Sequence, residues 1–389
     1  MTVKDQKKVL SEKAKRVAPS ATLAITAKAK ALKEQGIPVI NFAGGEPDWD
    51  TPEIVKEEAV RAMKEGFTKY TPSAGIPSLK KAICKKLEQE NGITVAPEQV
   101  IVSSGAKQSI YNAILALVDP GDELLLPAPY WVSYPEMVGL ADGMTVTLGT
   151  TEEAGFKITA TQLAKSVTKK SKVLLLNSPS NPTGAVYSRG ELELIGEIVL
   201  ENDLYVISDE IYDRLYYNAE GAPSIAAISK DLADRTIIIN GASKSYSMTG
   251  WRIGFAAGPK EIIAAMGRIQ DQTTSCASSI SQRAAVVAFE RGKQFANDLR
   301  VEYHKRRDLM LAEIEKVPGW SCYPPEGAFF CFANISKTGK DAETLANELL
   351  EKHHIAVIPG TSFGAPYHLR LSFCVSQEII REGFERIRG

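Results

Sequence analysis

The 389 residues predict an α/β chain: a mostly parallel sheet covered by helices, with a smaller discontinuous α+β domain. Three observations carry that expectation. From about residue 98 to 260, short continuous apolar runs alternate with helical stretches, the pattern of parallel strands buried on both faces. Beyond about residue 290 the texture changes to one long charged helix followed by alternating strands. A chain of this length also exceeds one ordinary core. The expected division is 1–51 as an N-terminal arm and part of the small domain, 52–290 as the large domain, and 291–389 as the remainder of the small one.

In chain order, residues 1–20 form a charged arm, and Ser20 is placed to cap a helix from about Ala21 to Gln35 that Gly36 closes. Pro38 to Phe42 reads as a short strand leading into the turn-rich Ala43-Gly44-Gly45-Glu46-Pro47-Asp48. Thr51-Pro52-Glu53 opens the next helix with a cap, a first-turn proline and an early acid. Tyr70-Thr71-Pro72-Ser73-Ala74-Gly75 then interrupts the helical pattern. Strands follow at Val100–Ser103, Glu123–Leu126, Val173–Asn177, Tyr205–Ser208, Thr236–Asn240 and Ile253–Ala257, with helices at Lys107–Leu117 and Tyr187–Asn202 between them. The tail offers a helix from roughly Gly292 to Lys316, strands near Phe329–Phe332, Ala356–Ile358 and Leu369–Phe373, and a closing helix from Gln377 to Arg388.

The bulk composition narrows the function. With 46 basic against 47 acidic residues the net charge is −1, which leaves no electrostatic footprint for nucleic acid or an anionic membrane. The 44% hydrophobic and 24% charged content is that of a soluble globular protein. Met1 to Pro19 lacks the apolar core of a signal peptide, and no uncharged apolar run approaches a membrane span. Five scattered cysteines without a CxxC pair fit free thiols in a reducing cytoplasm. His304, His353, His354 and His368 lack metal-ligand spacing, so no metal is expected.

Four predicted strands end in loops of small and polar residues: Ser103-Ser104-Gly105-Ala106-Lys107, Asn177 to Gly184, Ser208-Asp209-Glu210-Ile211-Tyr212, and Gly241-Ala242-Ser243-Lys244. Alone, each has an ordinary explanation as a turn, a cap or a solvated cation. Parallel strands would put all four on one sheet edge, where α/β sheets bind ligands. There, Lys244 can form a Schiff base with a carbonyl cofactor, and Arg252, eight residues on, suits a phosphate. Gly105 and Ala106 open a helix, whose free N–H groups attract an anion. Asp209 follows an apolar strand, and a buried carboxylate stays ionised only beside a partner such as a pyridinium nitrogen. Asn181 and Tyr212 are donors suited to a ring oxygen.

Taken together, Gly241 to Gly254, Asn177-Ser178-Pro179-Ser180-Asn181-Pro182-Thr183-Gly184 and Ser208 to Tyr212 resemble the fold-type I, class I pyridoxal-phosphate aminotransferases, in particular the bacterial aspartate aminotransferase subgroup, which includes aspartate/prephenate enzymes. The resemblance runs from Ala43-Gly44-Gly45 to Leu369-Arg370-Leu371-Ser372-Phe373. It implies the pyridoxal-phosphate transferase fold type I, with 52–290 as the cofactor-binding domain. It implies that Lys244 is the Schiff-base lysine and the acid/base of the proton shift, that Asp209 binds the pyridine nitrogen, and that Asn181 and Tyr212 bind the ring oxygen. Gly105, Ala106, Ser243 and Arg252 would hold the phosphate, Trp131 would stack on the ring, and Tyr70 would reach the phosphate of a neighbouring subunit in a homodimer. Gly45 and Arg370 would hold the substrate α-carboxylate, with Trp131 and Asn181 beside it.

Aspartate enzymes of the animal and enteric type read the distal carboxylate with an arginine, and Gln272 to Ser279 contains none. In the bacterial subgroup a lysine after the phosphate turn takes that task, and Lys107 matches it; a second phosphate contact is the other role open to Lys107. Thr22 matches a residue that members acting on prephenate also use, and Gly241 replaces a phosphate-binding hydroxyl of some relatives. The expected reaction is ping-pong transfer of the amino group of L-aspartate to 2-oxoglutarate in the cytoplasm. Prephenate or aromatic transamination, a β-lyase on the same scaffold, and a cofactor-binding regulator without turnover are the alternatives.

Overall fold

The computed structural model describes residues 9–19, 21–218 and 221–389; the side chains of residues 21–23 lie outside it, and with them the expected cap Ser20 and the side chain of Thr22. Strands in chain order are β1 (Ile40–Asn41), β2 (Val100–Ser103), β3 (Glu123–Ala128), β4 (Met144–Gly149), β5 (Ser171–Asn177), β6 (Tyr205–Asp209), β7 (Thr236–Gly241), β8 (Gly254–Ala257), β9 (Ser321–Cys322), β10 (Phe330–Asn334), β11 (Ile355–Ala356), β12 (Ile358–Pro359) and β13 (His368–Ser372). A seven-stranded sheet takes the order β2-β8-β7-β6-β5-β3-β4. All of its strands run one way except β8, which is antiparallel to both neighbours. The mostly parallel sheet predicted from the alternating pattern is therefore present.

The continuous apolar runs serve two faces at once. Leu124, Leu126, Val173, Leu175, Ile207 and Ile237 point into a core shared with the helix Ala106–Leu117 and the helix Lys260–Thr273. Their alternates Leu125, Leu174, Leu176 and Val206 enter the opposite core, against the helix Arg189–Glu201. A two-residue side-chain period with both faces covered demands apolar residues at every position. Strand β4, which the pattern did not announce, is an edge strand whose only buried residue is Leu148, so it carries no such run. Strand β8 explains the eight-residue spacing of the motif: β7 and the reversed β8 share a sheet edge, and Lys244 and Arg252 lie in their connection.

The N-terminal segment joins the tail. Strand β1 pairs in parallel with β11, Ile40 opposite Ile355, and the Ser372 N–H donates to the Phe42 carbonyl at 2.7 Å. Phe42 is fully buried beside Phe384, ring centroids 6.0 Å apart, in a core otherwise built largely from residues beyond 290. A four-stranded antiparallel sheet, β12-β13-β10-β9, lies in the same region. Thr51 departs from its expected role. The helix Glu53–Lys64 is entered through Pro52 with no side-chain cap, and Thr51 Oγ1 instead donates to the Ser247 carbonyl at 2.7 Å while accepting from Trp251 Nε1 at 2.9 Å. A side chain that can bridge two points of the Lys244 loop is spent there rather than on a helix end.

Because Phe42 is fully buried against the tail, Phe42→Ala is expected to cost about 3–5 kcal/mol of stability, measured by denaturant unfolding. A loss under about 1 kcal/mol would show that the N-terminal segment is not integral to that core.

Candidate active site

The ends of β2, β5, β6 and β7 and the loop after β1 enclose a cavity of about 460 Å³. Lys244 enters it three residues past β7. Its Nζ donates to the Gly45 carbonyl and stands 5.9 Å from the Tyr212 ring centre and 5.6 Å from that of Phe329. Burial pushes its pKa down to about 8, partly countered by Cys374 and Glu46. An amine in that range is available as a neutral nucleophile and as a proton carrier near neutral pH.

Asp209 closes β6 and is 4% exposed. Tyr134 O–H donates to its Oδ2 at 2.8 Å and the Ile211 N–H to its Oδ1 at 3.1 Å. Burial raises the carboxyl to about 6 despite those donors and the nearby Lys244 charge. A cationic N–H in the cavity would bring it back down, so Asp209 could hold a protonated ring nitrogen.

The β5 end is braced internally. Asn177 Oδ1 accepts from the Asn181 N–H at 2.8 Å, and Asn177 Nδ2 donates to the Asp209 carbonyl at 3.0 Å. Asn181 Oδ1 accepts from Arg370 Nη1 at 3.0 Å, and Arg370 Nη2 donates to the Ala43 carbonyl at 2.9 Å. Arg370 is 2% exposed, with its guanidinium 4.3 Å from the Phe330 ring centre, and burial lowers it to about 10, which leaves it cationic at neutral pH. It stands behind Asn181 rather than on the cavity wall. Tyr212 lines the cavity, its ring edge-on to Phe329 and Phe330, and burial raises its phenol.

At the β2 end, Gly105 (φ +89°) precedes the helix Ala106–Leu117 and faces the guanidinium of Arg252. The φ of Gly105 favours glycine, and without a Cβ the guanidinium packs directly against the turn. Arg252, itself at φ +55°, donates to the Thr249 carbonyl at 3.0 Å and the Ser104 carbonyl at 3.4 Å. Buried Ser243 lies alongside on the cavity wall, as does Ala106. The cation, the hydroxyl and the helix N-terminus together suit a phosphate dianion. Gly241 lacks room for a side chain: a Cβ there would press on the Ile253 carbonyl and Gly254 Cα, so the close pairing of β7 and β8 excludes the hydroxyl of some relatives.

Lys107 Nζ lies 4.7 Å from the Trp131 ring centre, and both residues line the cavity. Burial of its stem and the Arg252 charge lower its pKa. Tyr70 is not brought in: it is 94% exposed at a surface groove with Phe67, Pro72 and Arg283. Thr22 has no described side chain, but Thr26, one helical turn on, lines the cavity.

Sequence reasoning passed over Tyr134, Thr26 and the bracing of the loop 44–51. Tyr134 follows Trp131 by three residues, and its ring meets Trp131 edge-on at 5.3 Å; that spacing was the available signal. In the loop, Glu46 accepts from Thr249 Oγ1 at 2.7 Å, and Asp48 accepts from Arg306 Nη1 at 2.9 Å and Tyr303 O–H at 3.1 Å. Such long-range bonds leave no local pattern.

The family profile "Aminotransferase class I and II" matches residues 37–387. An aspartate aminotransferase of Bacillus sp. (strain YM-2) is 45% identical over 386 residues, 98% of each chain. An aspartate/prephenate aminotransferase of Cereibacter sphaeroides is 45% identical over 391 residues, again 98% of each chain. The solved structure of an aspartate aminotransferase from Thermus thermophilus with maleate superposes with a TM-score of 0.94 at 43% identity, covering 97% of this chain and 98% of that one. Sequence, fold and length agree: the chain belongs to the class I and II aminotransferase family and is an aminotransferase.

Proposed function

We propose that the chain is a pyridoxal-phosphate-dependent aspartate aminotransferase, passing the amino group of L-aspartate to 2-oxoglutarate. The observation that carries this reading is the meeting in one cavity of the Lys244 amine, the buried Asp209 carboxylate and the Gly105–Arg252 cradle. The residues fit the cofactor by charge and shape: a cation and helix N-terminus for the phosphate, a carboxylate for the ring nitrogen, an amine for the aldehyde. When bound, pyridoxal phosphate supplies the aldehyde that takes up the amino group and the protonated ring that accepts the electron pair released at the substrate Cα.

The chain's own residues do the rest. Arg252, Ser243, Gly105 and Ala106 fix the phosphate end. Asp209, oriented by Tyr134, holds the proton at the ring nitrogen. Asn181 and Tyr212 would donate to the ring oxygen, and Trp131 would stack on the ring. Lys244 would hold the aldehyde and, as a free amine, would take the proton from the substrate Cα. Its depressed pKa suits both tasks. Arg370 pairs with the α-carboxylate, exchanging its bond to Asn181 or Ala43 for the ligand, with the Gly45 main chain beside it. Lys107, a cation on the cavity wall, receives the distal carboxylate; both substrates are dicarboxylates, so Arg370 and Lys107 serve each half-reaction. A second reading, aspartate and prephenate turnover in one site, is supported by relatives at 42–45% identity that are named as aspartate/prephenate aminotransferases.

We propose a homodimer, because Tyr70 is too exposed to serve its own cavity and is free to reach a partner's phosphate. The division at residues 51 and 290 is proposed on the same footing, supported by the joint core of Phe42 with the tail. Five free thiols suit the cytoplasm, and among the described residues no helix is long and apolar enough to cross a membrane.

Lys244→Ala is expected to abolish steady-state turnover and the absorbance of the lysine-bound cofactor; normal turnover would sink the assignment. Covalent capture of pyridoxal phosphate by the full chain should speed up about tenfold per pH unit below about 8 and level off above it, because only the neutral Lys244 amine attacks. A rate flat from about pH 6 to about pH 9 would contradict that. Lys107→Ala should lose roughly tenfold to a hundredfold in kcat/KM for aspartate and 2-oxoglutarate, with monocarboxylic amino acids little affected. An equal loss for both classes would assign Lys107 to the phosphate.

A further inference from the structure

One residue touches neither the cavity nor any proposed ligand, yet holds two parts of the site. Gln270 lies in the last turn of the helix Lys260–Thr273 and is 0% exposed. Its Nε2 donates to the Ser73 carbonyl at 2.7 Å and to the Val102 carbonyl at 2.9 Å. Its Oε1 accepts from Ser103 Oγ at 2.9 Å and from Asn112 Nδ2 at 3.2 Å. Both donor hydrogens and both acceptor sites are in use, which no other uncharged side chain of this length could match.

The partners are not scattered. Val102 and Ser103 are the last residues of β2 before the turn Ser104-Gly105-Ala106, and Asn112 lies on the helix that the turn opens. Ser73 belongs to the loop that follows Tyr70, and the Val102 N–H donates to the Ala74 carbonyl at 3.0 Å in the same stretch. Thr274 comes four residues after Gln270, on the same side of the helix end. Its Oγ1 accepts from Gln108 Nε2, and Gln108 Oε1 accepts from the Ser104 N–H at 2.6 Å. The helix end thus grips the turn twice. A second buried amide, Gln282, pins the far ends of the Tyr70 loop: Nε2 donates to Thr71 Oγ1 at 2.9 Å, and Oε1 accepts from the Ile76 N–H at 2.8 Å.

We infer that Gln270 is a positioning residue for phosphate recognition: it locks the turn at Gly105 and the Tyr70-bearing loop into one rigid unit. The inference rests on the cofactor reading above and deepens it. Packing alone would be met by an apolar side chain; a fully bonded amide fixes direction as well as distance. A phosphate cradle depends on that direction, since its amides, its hydroxyl and its cation must converge on the same oxygens.

The test uses the full chain and two probes, pyridoxal phosphate and pyridoxal, which share the ring and the aldehyde and differ in the phosphate. Gln270→Met keeps side-chain length and removes all four hydrogen bonds. Its dissociation constant for pyridoxal phosphate, read by absorbance titration, should rise about tenfold, while that for pyridoxal stays within about twofold. Equal weakening of both probes, or no change in either, would overturn the inference, since a merely structural residue cannot tell them apart. If that variant does not fold, Thr274→Val removes the second grip and should show the same split at smaller size; an equal shift for both probes would again overturn it. A native chain that binds pyridoxal phosphate no more tightly than pyridoxal would bring down the cofactor reading itself, an outcome visible before any variant is made.

Discussion

The site depends on glycines at which chain segments approach more closely than side chains allow. Gly241 and Gly254 sit opposite each other where β7 meets the reversed β8, and a Cβ on Gly254 would collide with the Ala106 nitrogen. That contact brings the loop carrying Lys244 and Arg252 against the turn that opens the helix Ala106–Leu117. Gly105 then admits the Arg252 guanidinium. A methyl group at Gly241 or Gly254 would meet backbone and push the Lys244 loop away from the turn, and the rest of the cavity is arranged around that join.

Charge burial is the second constraint. Lys244, Asp209 and Arg370 are each pushed by burial toward their neutral forms, and each is held by neighbours that a ligand can replace or reinforce. Asp209 accepts from Tyr134 and the Ile211 N–H, and Arg370 donates to Asn181 and the Ala43 carbonyl. Groups held at such a cost cluster at sites of binding and chemistry. The loop 44–51, tied to Arg306, Thr249 and Trp251, carries the Gly45 carbonyl to Lys244 and so joins the tail region to the sheet edge.

Much of this was legible in the chain. The apolar runs announced β2, β3 and β5 to β8 because strands buried on both faces must be apolar throughout, and Gln377–Arg388 emerged with the predicted limits. Lys244, Asp209, Asn181, Tyr212 and Arg252 meet at one cavity because each follows or precedes a strand end. What stayed hidden depends on contacts between distant segments. The edge strand β4 lacks an apolar run, Thr51 looked like a cap and is a bridge, and Tyr134 and Gln270 act through partners 75 and 197 residues away. No local spacing encodes such pairs.

The claim on which the account turns is that Lys244, among all the lysines of the chain, bonds the cofactor aldehyde. Borohydride reduction of the cofactor-loaded protein, followed by peptide mass spectrometry, tests it directly. The account predicts one stable adduct, on the peptide that contains Lys244 and on that residue. A label on Lys107 or on a surface lysine, with Lys244 unmodified, would contradict it.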